Sequence, residues 1–237
     1  MNQILVTEKL YVTPELKRKK RIYKIEFFIS VFLVFLLSSY YIYAEYDRNK
    51  SEEVSQEVLS QITNDTTIKT ADDDALLIVL NEEEANEAQE EELMENTTAT
   101  VGGETYSTDS ILRIPKIGIE YPVLSETSDE LLTISLNRYW PRLNELKPNE
   151  VGNYCIVGHN YRNGKMFGRL SELENGDIVE LKDLTGRTIQ YEVYKIYVVD
   201  PDDTSCTSQR GVNRRELTLI TCTNYGTQRL VVKCREA

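Results

Sequence analysis

The sequence predicts a mainly β domain: a closed antiparallel β-barrel of about seven or eight strands with one or two short helices, preceded by an N-terminal transmembrane helix and an acidic stalk. Three observations lead there. Short apolar runs recur through residues 105–237, broken by Gly, Pro, Asn and Asp. Residues 27–44 form an apolar stretch without a charge. Between them, residues 45–104 carry 18 Asp/Glu against three Lys/Arg. The chain therefore divides into a basic segment (1–24), an anchor (25–44), a stalk (45–104) and a folded domain (105–237).

The stretch 27–44 reads FFISVFLVFLLSSYYIYA. Eighteen residues at about 1.5 Å each span roughly 27 Å, close to the thickness of a bilayer's hydrocarbon core. Tyr40, Tyr41 and Tyr43 suit the interfacial belt. Lys17-Arg18-Lys19-Lys20-Arg21 precedes it, so the N-terminus is expected in the cytoplasm. Everything after Ala44 then lies outside the cell, on a single-pass anchor. A cleaved signal peptide is the competing reading, but Ile42, two residues before Ala44, spoils the usual small-x-small site.

In the stalk, Glu82-Glu83-Glu84 and Glu90-Glu91-Glu92 repel one another and little is available to bury. A solvated, largely disordered spacer is expected. Val54, Val58 and Ile62 fall at helical spacing and 75–80 is an apolar patch, so a transient helix or docking on the following domain stays open.

Beyond residue 105 the strand-like runs are 111–114, 117–123, 154–157, 178–181, 188–199, 217–221 and 230–232. Leucines three or four apart predict helical turns over 128–136 and 166–173. A domain of this size buries about two-thirds of its surface without disulfide staples. The net charge of −12 and the near-balance of 17 basic and 18 acidic residues in 105–237 leave no strongly basic face for phosphates, which excludes nucleic acid as a partner. A mean hydropathy of −0.41 excludes a polytopic membrane protein.

Three residues can carry chemistry. His159 is the sole histidine and follows Gly158 at the end of the run 154–157. Cys222 ends the run Leu217-Thr218-Leu219-Ile220-Thr221, and Thr223-Asn224-Tyr225-Gly226-Thr227 has the composition of a tight turn. Arg229 then begins the return strand, so guanidinium and thiol share one sheet end. Taken singly, each is most simply structural; a strand cysteine is usually a small inert hydrophobe. With one histidine and no close cysteine pair, a closed zinc site is improbable. Asp200, Asp202 and Asp203 read as a solvated turn rather than a calcium loop. Cys155 and Cys234 read as buried thiols.

Together, Thr218-Leu219-Ile220-Thr221-Cys222, Arg229 downstream and Gly158-His159 some sixty residues upstream resemble the sortases, the membrane-anchored cysteine transpeptidases of Gram-positive bacteria. The resemblance covers about residues 108–237, and the basic N-terminus, anchor and linker match the family's layout. It implies Cys222 as nucleophile, His159 as general acid/base and Arg229 as the group that steadies substrate or oxyanion, with no cofactor and no metal. Substrate contacts are expected from Thr221, Asn160 and Asn224, and from the loop 200–215. It further implies cleavage of a Leu-Pro-x-Thr-Gly-like sorting signal on surface proteins and transfer of the acyl part to an amine of a cell-wall precursor or a pilin. Gly158-His159-Asn160 followed by Met166-Phe167 looks like class B, yet the segment after Val199 is too short for that class's helical insertion, so the class stays open. The seven-residue interval from Cys222 to Arg229 is at the short end for the family. A cysteine endopeptidase on the same barrel and a non-catalytic membrane-anchored module for adhesion or sensing are the rival readings.

Overall fold

The computed structural model describes residues 14–71, 98–139 and 146–237. The first element, α1 (Pro14–Ala71), is a helix of 58 residues. Two compact units divide the chain, Met1–Asn49 and Lys50–Ala237. In the first, Phe27, Phe28, Phe32 and Phe35 are all more than half exposed, and their apolar neighbours are exposed as well. An apolar surface of that extent is stable in hydrocarbon rather than in water. The helix is long and apolar enough to cross a membrane, which makes it a candidate anchor.

In the second unit, the remaining turns of α1 present one buried face. Ser55, Val58 and Ile62 are buried, the last two against Ala99, Val101 and Ile111. The expected disordered stalk is therefore corrected where it is described. Its first part is helical to Ala71 and its end is already strand, because the Val58/Ile62 stripe finds apolar partners. Residues 72–97, with the 75–80 patch and the glutamate runs, lie outside the described residues.

Strand β1 (Thr98–Val101) pairs with β2 (Glu104–Ile114) around Gly102 and Gly103, whose φ of +63° and +91° suits the primed turns of two-residue hairpins. The Gln61 side-chain amide covers the edge of β1, donating to the Thr100 carbonyl and accepting its N–H, both at 3.2 Å. The other elements are β3 (Ile119–Leu124), α2 (Asp129–Ile134), β4 (Leu136–Arg138), β5 (Gly152–Val157), β6 (Ile178–Asp183), β7 (Thr188–Val199), β8 (Arg215–Thr223) and β9 (Gln228–Glu236). The run expected over 117–123 starts at Ile119 because Pro115–Ile117 winds a 3-10 turn stopped by Gly118 at φ +65°. Ser128 caps α2, its Oγ accepting the Leu131 N–H at 3.1 Å. The helical turn expected over 166–173 shrinks to a 3-10 turn at Leu170–Glu172. Its spacing reflects burial, since Met166, Phe167, Leu170 and Leu173 all enter the core.

The sheet runs β2-β3-β4-β5-β8-β9-β7-β6, and β6 pairs back onto β2, closing eight strands into a barrel with β1 outside the ring. It is antiparallel except at β3–β4 and β5–β8, which are parallel. The expected closed, mainly antiparallel barrel is thus present, with two parallel pairings within it. The chain crosses over before β4, through α2, and before β8, through residues 158–214, and re-enters in the same direction. Alternate residues fill the interior, among them Leu112, Tyr121, Ile156, Leu217, Leu219 and Val232. Each fully buried large side chain contributes roughly 1.5–3 kcal/mol.

Gly158, where β5 ends, admits no side chain: a Cβ would lie 2.4 Å from Leu136 Cδ2 and 2.9 Å from Phe167 Cδ2. Gly158→Ala should therefore cost about 1–3 kcal/mol through overpacking, seen as a lower urea midpoint at unchanged m-value.

Candidate active site

The parallel pairing of β5 with β8 places the site. Their last registered partners are Val157 and Ile220, after which both strands leave the barrel at the same rim. The Gly158 N–H donates to the Ile220 carbonyl at 3.2 Å, and the Asn160 side-chain N–H donates to the Cys222 carbonyl at 2.8 Å. His159 thus stands between two residues that are both tied to β8. The Thr221 hydroxyl adds a third tie, donating to the Gly158 carbonyl at 2.7 Å.

Alternation along β8 decides which side chains a substrate can meet. Leu217 and Leu219 face the core, so Thr221 follows them inward and is buried, while Cys222 faces outward and is half-buried. This corrects Thr221 as a substrate contact: its hydroxyl is engaged inside the sheet. Asn224 is exposed but donates to the Gln228 side-chain oxygen, and Asn160 spends its amide on the Cys222 carbonyl, so both shape the backbone around the thiol.

Antiparallel β8 and β9 register Cys222 directly against Arg229, which puts thiol and guanidinium on one face at the rim. The short interval between them is closed by Asn224, Tyr225 and Gly226 at φ +47°, +57° and +87°. A tyrosine in the left-handed region is strained. It holds the Tyr225 ring 95% exposed, with the Arg162 guanidinium 5.9 Å from its centroid. Arg229 Nη1 donates to the carbonyls of Gly226 (3.0 Å) and Gln228 (3.1 Å), which holds the guanidinium beside the turn.

The His159 ring is half-buried, 5.2 Å from the Tyr161 ring. Burial pushes its pKa below the ordinary imidazole value, and the Asp129 carboxylate on α2 opposes that shift in part. Asp129 was not singled out in the sequence; its place after the Ser128 cap, in an acidic first turn, is the signal that points to it. All four cysteines are free. Burial pushes the thiols of Cys155 and Cys234 up to about 12, with Lys233 pulling each part of the way back. Only Cys222 reaches the surface. Asp200 and Asp203 form the expected turn, with the Asp203 carboxylate accepting the Ser205 N–H at 2.9 Å.

The loop 200–214 crosses the outside of the sheet below Cys222. Asn153 of β5 fastens it, its backbone N–H donating to the Gln209 side-chain oxygen at 2.7 Å and its side-chain N–H to the Cys206 carbonyl at 2.9 Å. A half-buried outward thiol, an imidazole and a guanidinium at one rim bring together a potential nucleophile, an acid/base and a cation.

Comparison with known proteins gives the same direction. A family model described as a sortase domain matches residues 112–237. Sortase D of Bacillus subtilis (strain 168) is 34% identical over 119 residues, 50% of this chain and 56% of that protein, so the chain spans little more than half the length of this curated relative. The crystal structure of sortase C-1 from Actinomyces oris (formerly Actinomyces naeslundii) is 29% identical with a TM-score of 0.50, over 55% of this chain and 74% of that one. A Clostridium perfringens sortase D5 transpeptidase, 24% identical, aligns with a TM-score of 0.53 over 78% of this chain and 96% of its own, which speaks for the fold alone.

The chain's single histidine gives one imidazole resonance to follow. Its NMR titration midpoint should lie below the ordinary imidazole value. Asp129→Asn removes the charge that favours imidazolium, so the midpoint should move lower still; an upward shift would contradict the assignment.

Proposed function

The chain belongs to the sortase family, a family of transpeptidases, and we propose that it cleaves a sorting signal and transfers the acyl half to an amine through a thioester on Cys222. The observation that carries this reading is the registered Cys222–Arg229 pair beside His159 at one rim. His159 takes the proton of the Cys222 thiol as the sulfur adds to the carbonyl carbon of the scissile peptide bond, and the electron pair of the C=O bond moves onto the carbonyl oxygen. The Arg229 guanidinium, which never loses its proton near neutrality, stabilises that oxyanion. As the carbonyl re-forms, the C–N bond breaks and His159 passes a proton to the departing amine. An incoming amine then attacks the thioester, gives its proton to the imidazole, and sulfur leaves.

The electrostatics fit these roles. A free thiol is only a few per cent thiolate at neutral pH, so a neighbouring cation or base is needed. The depressed His159 pKa keeps the imidazole largely neutral there, poised to accept a proton before it donates one. The exposed Tyr225 ring in the turn after Cys222, and the start of the loop 200–214 after Val199, which pairs with Arg229, supply the surfaces for the peptide on one side and the amine on the other.

The substrates in this reading are surface proteins ending in a Leu-Pro-x-Thr-Gly-like signal, with a cell-wall precursor or a pilin lysine as acceptor. The apolar part of α1 holds the enzyme in the membrane, with its N-terminus cytoplasmic and the barrel outside the cell, where such substrates are met. The half-buried, outward Cys222 supports an enzyme over a non-catalytic module, for which an inert buried thiol is expected.

Cys222→Ala should abolish thioester capture of a sorting peptide, followed by mass spectrometry, with an unchanged circular dichroism spectrum. Arg229→Ala should lower kcat by about 10²–10³-fold, as for loss of one oxyanion donor. Adding an amine and weighing ligated against hydrolysed product separates a transpeptidase from an endopeptidase.

A further inference from the structure

Outside the rim, Tyr121 is a buried polar group that ties α1 to the barrel. It sits inward on β3 and is 4% exposed. Its hydroxyl donates to both carboxylate oxygens of Glu52, at 2.9 and 2.8 Å, and accepts the backbone N–H of Met166 at 3.1 Å. Glu52 belongs to the docked turns of α1, just beyond the stretch suited to a membrane. Met166 closes the loop that begins at His159: it bridges to Asn160, and the next residue, Phe167, donates its N–H to the His159 carbonyl at 3.0 Å. The same turns of α1 are fixed by the Ser55 hydroxyl on the Ser135 hydroxyl at 3.0 Å, which in turn donates to the Pro122 carbonyl beside Tyr121.

Backbone bonds within the loop and the burial of Met166 and Phe167 also hold this end, and Tyr121 is the side chain that links it to α1. Asn163, Gly164 and Lys165 line a cavity of 420 Å³ shared with Glu52, Gln56 and Tyr121. Met166 keeps a left-handed φ of +48° that a non-glycine residue adopts only when its surroundings impose it. The Met166 N–H bond to Tyr121 acts with the buried Met166 side chain and the bridge to Asn160 to impose it.

We propose that Tyr121, oriented by Glu52 of α1, is a positioning residue that fixes the loop from His159 to Met166, so that the docked helix next to the anchor sets the placement of the imidazole. Glu52 holds the Tyr121 hydroxyl hydrogen, which turns the oxygen lone pair toward Met166. Loss of either partner frees the loop without touching the reacting atoms. The inference rests on the reading of His159 as acid/base only where it concerns turnover.

The test uses the full chain in nanodiscs of mixed phosphatidylglycerol and phosphatidylcholine. Hydrogen–deuterium exchange is followed in peptides covering residues 159–168, alongside kcat and KM for thioester formation with a sorting peptide. In Tyr121→Phe and Glu52→Ala, exchange of that segment should rise about tenfold while peptides from β5 and β8 keep wild-type rates. In the same variants kcat should fall about tenfold or more with KM within about twofold, because geometry and not binding is lost. Glu52→Gln, which retains an acceptor for the hydroxyl, should restore both. Unchanged exchange at 159–168 in the two disruptive variants overturns the proposal, and so does an equal rise in β5 and β8. A wild-type chain that forms no thioester would end the proposed function, while the exchange result still decides the role of Tyr121.

Discussion

The active rim depends on one constraint, the parallel register of β5 and β8. Two strands that run the same way end on the same side of a sheet, so the residues just past Val157 and Ile220 emerge together. Had these strands paired antiparallel, the imidazole and the thiol would stand at opposite poles of the barrel. Parallel pairing forces a crossover, and residues 158–214 supply it with two strands of the barrel itself, β6 and β7, instead of a helix. β9 then returns antiparallel from the same rim, which brings Arg229 opposite Cys222.

Short hydrogen bonds refine what the register places. Gly158, Asn160 and Thr221 stitch the segment around His159 to β8 on both sides. A glycine is required at 158 because Leu136 and Phe167 fill the space a side chain would take. The result is a histidine on a loop whose two ends are anchored, one by β8 and the other by Tyr121 and α1. Loops that carry chemistry are useful when a rigid scaffold limits their freedom. Here the scaffold includes the docked turns of α1.

Burial separates the cysteines by environment. Cys155 and Cys234 lie within strands, and low dielectric surroundings hold their thiols protonated even with the Lys233 ammonium nearby. Cys222 ends its strand on the outward side, where solvent, an imidazole and a guanidinium are within reach of one face. The same logic acts on Thr221 and Cys222, which are neighbours in sequence and face opposite sides of the sheet. One residue of register separates a buried clasp from a half-buried thiol on the outer face.

Much of this was legible in the chain alone, because local pattern carries it. Alternating runs ended by Gly, Asn and Asp mark the strands, the charge-free stretch 27–44 marks the anchor, and Cys222 with Arg229 seven residues on marks a hairpin end. The motif around Cys222 and the lone histidine pointed to the chemistry and to the family. Contacts distant in sequence were not legible. The parallel ladder, the docking of Val58 and Ile62, the Asp129 charge near His159 and the Glu52–Tyr121–Met166 link each join residues whose types are ordinary in their own segments. Local composition determines which elements form and which atoms can react. Which of those elements lie side by side, and hence which charges and hydrogen bonds meet at the rim, is decided only when the barrel closes and buries its common core.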